Sequence, residues 1–177
     1  GQLSKAGKKF RSFLEQYPTS NLYKAAINRY MQIGNAFLSG HKRPVFLFFR
    51  IRSYDEGVKI MEDIVDYAGT SPIALRASMS VVESYERREE FQDAYFKWSE
   101  IANRWPTGET GKMALLGMAR TKHASYQGPA YDASSLISAK SYYERFENRY
   151  PEAAKEYDIA EKIELINQQI AYKKLFV

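Results

Sequence analysis

The chain has 177 residues, 45% hydrophobic, 15% aromatic and 27% charged, enough apolar matter for a sizeable core. It contains no cysteine, which excludes disulfides and thiolate-ligated metals, and no apolar run reaches the roughly eighteen residues needed to cross a bilayer as a helix. Its net charge of +5 is unevenly spread: residues 1–52 carry ten Lys/Arg against Glu15 alone, net +9, while residues 53–177 carry sixteen against twenty acids, net −4.

The first predicted element is a helix over 2–17. Ala6, Phe10, Phe13 and Tyr17 step by four, three and four residues, which keeps them on one helical face, and Pro18 then stops the helix. A second helix, 21–38, places Ala26 nine residues after Tyr17, beside Tyr23, Ile27 and Tyr30. A small residue on each of two helices lets their backbones approach, and the large residues one turn away fill the space around the contact.

An insertion near 39–54 follows, basic at both ends and apolar in the middle. The sequence predicts a loop here. Phe46, Phe48 and Phe49 need a partner, which is either the groove of their own fold or another surface.

The stripe returns more weakly in a third helix, 53–68, as Gly57, Met61, Ile64 and Ala68. Ser71 and Pro72 read as an N-cap and first helical residue opening a fourth helix, 72–87, which carries Ala77. The fifth helix, 90–105, repeats the stripe as Ala94, Trp98, Ile101 and Trp105 before Pro106, and the sixth, 109–126, answers with Ala114. A Gly-Pro connector near 125–132 leads to the seventh, 132–149, with Ala139, Tyr143 and Phe146, closed by Tyr150 and Pro151. The eighth, 152–174, is predicted as one continuous cap with Ile159, Ile163, Ile166 and Ile170 on a single stripe.

Recurrence at this spacing predicts an all-α solenoid of about eight helices, arranged as hairpins in one domain over 1–177. The first helix is an orphan second helix of a hairpin, and Gly1 falls inside it, which predicts that the repeat array extends upstream. Catalytic motifs are missing. His41 and His123 lie on different elements, and Asp63, Asp66, Glu86, Glu89 and Glu90 read as solvated acids. The expectation is a non-enzyme without cofactor or metal.

A small residue, an aromatic four later, a bulky apolar residue seven later and proline twelve later resemble the second helix of a tetratricopeptide repeat. Two features depart from it. The usual Trp and Leu-Gly of the first helix are absent, and the 17-residue step from Ala77 to Ala94 is longer than the standard repeat allows. Long repeats closing on aromatic-Pro look like the BamD-like family of outer-membrane assembly lipoproteins. The segments Phe13-Leu14-Glu15-Gln16-Tyr17-Pro18-Thr19-Ser20, Ile33-Gly34-Asn35-Ala36-Phe37-Leu38-Ser39-Gly40 and Gly128-Pro129-Ala130-Tyr131-Asp132 carry the likeness.

That resemblance implies a periplasmic scaffold at the outer membrane, lipid-anchored through an N-terminal cysteine upstream of Gly1. Its partners would be the barrel-forming assembly protein and nascent outer-membrane proteins. The partner-binding residues expected in this chain are Tyr23, Ile27, Arg29 and Tyr30, flanked by Lys42, Arg43, Phe46, Phe48, Phe49, Arg50 and Arg52. Two other readings stay open. One is a repeat adaptor for a different periplasmic or cytosolic assembly, and the other is a binder of anionic membrane surfaces through the basic third. Nucleic acid is not an expected partner, because none of its recognition motifs occurs.

Overall fold

The computed structural model describes residues 1–40, 42–46 and 49–175, with 42–46 and 49–52 described as backbone. These residues form α1 (Gln2–Gln16), α2 (Tyr23–Leu38), β1 (Lys42–Phe46), β2 (Phe49–Arg52), α3 (Tyr54–Ala68), α4 (Pro72–Arg87), α5 (Phe91–Arg104), α6 (Gly108–Ala124), α7 (Ser134–Arg149), α8 (Pro151–Glu156) and α9 (Ile159–Lys173). The fold is all-α but for the small hairpin, and helices adjacent in sequence pack on one another, as in α1 on α2, α2 on α3, α5 on α6 and α6 on α7.

Three of the striped helices end in the same way. The backbone N–H groups of Tyr17, Trp105 and Tyr150 donate to the carbonyls of Phe13, Ile101 and Phe146 at 2.9, 2.9 and 2.8 Å. Each of these aromatic residues precedes proline, which pushes it out of the helical region to φ between −129° and −136°.

The chain groups into two compact units, Gly1–Ser84 and Tyr85–Val177, and α4 runs through the boundary. In the first unit, glycines set how closely α2 and α3 pack. A Cβ on Gly34 would meet Ile60 Cγ2 at 2.8 Å, and one on Gly57 would meet the Leu38 backbone nitrogen at 2.9 Å. Phe37, Met61 and Ile64 are fully enclosed around that contact. Ser84 on α4 donates from Oγ to the Leu38 carbonyl at 3.3 Å.

In the second unit, Leu136, Ala139, Tyr143 and Phe146 of α7 share one buried cluster with Leu115 and Ala119 of α6 and Ile159 and Ile166 of α9. The Trp98 ring of α5 occupies the space above Gly117, where a Cβ would lie 2.3 Å from Trp98 Cδ2.

Several local expectations change. The insertion at 39–54 contains a paired β-hairpin and not a loop alone, with Lys42 opposite Arg52, Arg43 opposite Ile51, Pro44 opposite Arg50 and Phe46 opposite Phe49. The continuous closing helix is broken at Asp158, which sits in the left-handed region at φ 51°, ψ 44° between α8 and α9. The isoleucine stripe survives because all four members lie beyond the break. Helix α4 starts at Pro72 as expected, yet Ser71 Oγ is buried without a hydrogen-bond partner among the described residues, so the side chain does not cap.

Candidate partner-docking surface

The four residues expected on α2 do not share one surface. With Ala26, Ile33, Gly34 and Phe37, Ile27 and Tyr30 form the buried stripe of α2, and they are 4% and 2% exposed. They are core residues, a correction that follows from their 3.6-residue period. Tyr23 is half-buried, and Arg29 is exposed on the other side of the helix, donating from Nη1 to Gln32 Oε1 at 2.9 Å. For Lys42, Arg43, Phe46, Phe49, Arg50 and Arg52 the structure gives the backbone pairing alone, and Phe48 lies outside the described residues.

The structure does bring together a set that sequence reasoning missed. A cleft of about 460 Å³ opens between α1 and α3. Tyr30 forms part of its wall, and Lys8, Arg11, Lys59, Asp55, Glu56 and Asp63 supply charges of both signs. Arg11, Glu56 and Asp63 have partners there. Tyr30 donates to Asp63 Oδ2 at 2.6 Å, and the Arg11 guanidinium stands 3.5 Å from Asp63 Oδ1. Arg11 Nε and the Tyr67 hydroxyl both donate to Glu15 Oε1 at 3.0 Å, and Ser4 donates to Glu56 at 3.2 Å.

Titration follows from these contacts. The Arg11 hydrogen bond, helped by that of Tyr67, holds the Glu15 carboxyl below its ordinary range. Burial, then the hydrogen bond to Glu15, pushes the Tyr67 phenol up to about 12. Burial and the neighbouring Asp63 raise Tyr30 as well. Asp63, read from sequence as a solvated acid, has a side chain only 13% exposed. Glu86 departs from the solvated reading in the same way. It accepts the Trp98 indole N–H at 2.8 Å and meets Arg120 at 3.4 Å.

On the opposite side of α1, Phe10 and Phe13 join Leu22, Ala25, Ala26 and Arg29 in a hollow of about 250 Å³ between α1 and α2. Leu22 and Tyr17 are 59% and 54% exposed.

His123 pairs through Nε2 with Gln169 Oε1 at 3.0 Å and stands edge-on to the Tyr143 ring, a packing role. Among the described residues no group of three His, Asp or Glu is placed to hold a metal ion, and no helix is long and apolar enough to cross a membrane. The hollows beside α1 and α2 offer apolar and charged surface for contact. Compared with known proteins, the chain matches no family model and no curated sequence.

Proposed function

We propose that this chain is a non-catalytic scaffold that holds partner proteins during assembly of β-barrel proteins into the bacterial outer membrane, acting on the periplasmic side as part of a lipid-anchored protein. One observation carries the docking half of this reading. Consecutive helices pack as hairpins on the repeated stripe, and the surface left on α1 and α2 is apolar with a basic rim. Such a fold presents side chains from successive helices to an extended partner. The assembly half rests on the resemblance to BamD-like lipoproteins through the aromatic-Pro helix endings. Within the contact surface, Tyr23 and Arg29 keep their proposed role, together with the basic hairpin at 42–52.

The test is co-purification with the barrel-forming assembly protein, alongside titration with a peptide carrying the C-terminal strand of an outer-membrane barrel. Binding of either, weakened by Arg29→Glu, supports the reading. Failure of both rejects it.

A further inference from the structure

Local preference and observed structure part company within residues 151–173. That stretch holds no glycine, and its one proline, Pro151, suits the first position of a helix. Its residues favour one continuous helix. The backbone instead turns at Asp158, a non-glycine residue held left-handed at φ 51°, ψ 44°. Asp158 stands at the N-cap of α9, yet its side chain makes no capping hydrogen bond. The amides of Ile159, Ala160 and Glu161 find no backbone acceptor among the described residues. A continuous helix would return them to the carbonyls of Lys155, Glu156 and Tyr157 and would relieve the left-handed residue.

Tertiary packing holds the break. Ile159 and Ile166 are 0% exposed and share one cluster with Leu136, Ala139, Tyr143 and Phe146 of α7. Tyr150 alone joins α7 to α8, so the chain has no slack there. Straightening α8 into α9 therefore carries the isoleucine stripe off α7. In a lone molecule this strips two enclosed side chains, and the broken form wins. A second copy changes the balance, because its α7 offers the same seat. The polar ties of α9, from Lys140 to Asn167 at 2.8 Å and between His123 and Gln169 at 3.0 Å, can re-form across the pair. Contacts outside the hinge are then kept, and the hinge gains helix.

We propose that Asp158 is a hinge and that two copies of this chain pair by exchanging α9, each α8–α9 run straightening into one helix. The partner of the exchanged helix is a second copy of the same chain. The inference goes beyond the scaffold reading and does not rest on it.

The whole 177-residue chain is held at about millimolar concentration a few degrees below its melting temperature, cooled, diluted and followed by size-exclusion chromatography with light scattering. A dimer is expected that persists for hours in the cold, since its reversal requires α9 to leave its seat. Asp158→Ala favours the helix over the left-handed turn, and Asp158→Gly does the opposite, so their dimer constants should differ by about tenfold or more, alanine the higher. Asp158 is exposed, so both variants leave the core intact, with circular dichroism as the check. Hydrogen exchange at the amides of Ala160 and Glu161 should slow about tenfold or more in the dimer, where they gain acceptors. Absence of a dimer overturns the proposal. So does a dimer that dissociates within seconds of dilution, one that the two variants leave unchanged or shift the other way, or one in which those amides exchange as they do in the monomer. None of these results bears on co-purification with the barrel-forming assembly protein, so the scaffold reading stands or falls separately.

Discussion

Tyr30 donates a 2.6 Å hydrogen bond to Asp63, tying α2 to α3 across 33 residues of sequence. The phenol ring is core, and the carboxylate is mostly out of water. Tyr30→Phe keeps the ring and removes the donor, leaving a part-buried charged acceptor short of a partner, so a loss of about 2 kcal/mol is expected in urea unfolding. Arg11→Met removes the longer, more exposed contact to Asp63 and should cost about 1 kcal/mol or less. Arg11→Met also removes the exposed Arg11–Glu15 pair, so a loss as large as that of Tyr30→Phe would contradict the expected order.

One buried and two half-buried tyrosines should make the fold sensitive to alkali. Burial pushes Tyr67, Tyr95 and Tyr143 up to about 12, against an ordinary value of 10. Because the folded values are raised, the unfolded chain ionises first. The associated stability is whole below pH 10 and drains away as pH rises through about 12. Melting temperature should therefore fall steeply across that interval, and Tyr143→Phe should flatten part of the slope. A melting temperature independent of pH from 9 to 12 would contradict the burial of these phenols.

Two helical glycines should respond with opposite signs to the same substitution. A Cβ on Gly7 meets nothing closer than 3.7 Å, so Gly7→Ala removes backbone freedom from the unfolded chain at no steric cost and should stabilise by about 0.5–1 kcal/mol. A Cβ on Gly57 meets both the Leu38 side chain and its backbone nitrogen at 2.9 Å. Backbone cannot step aside as a side-chain tip can, and Gly57→Ala should destabilise by about 3 kcal/mol. Thermal denaturation of the two variants side by side decides it.

Asp158 links α8 to α9 with its backbone left-handed, a conformation that costs an L-residue about 1 kcal/mol. Asp158→Gly should recover up to about that much, offset by the looser unfolded chain. Asp158→Val, β-branched, should lose more than 1 kcal/mol. Chemical denaturation of the pair measures the difference, which vanishes if the two helices run on without a break.

The helices were legible because periodicity is a local property. The stripes of α3, α5 and α7 are the buried faces predicted, and α4 begins and ends at Pro72 and Arg87, the residues expected. Coverage was not legible in the same way, since a stripe states which side seeks a neighbour and not whether one is there. Phe13 and Phe146 occupy the same repeat position, yet only Phe146 is enclosed. The core status of Ile27 and Tyr30 is written in their spacing with Ala26, Ile33 and Phe37. The hairpin at 42–52 is too short for helical periodicity to report on, although Val45, Phe46, Phe49 and Ile51 are strand-forming types. The Tyr30, Asp63, Arg11 and Glu15 network joins three helices, and no spacing along one chain announces it.

The indole of Trp98 stands where any side chain at position 117 would have to go. Substitutions at this pair are therefore coupled: a smaller ring at 98 opens the door to alanine at 117, whereas alanine beside an intact indole forces the ring to move.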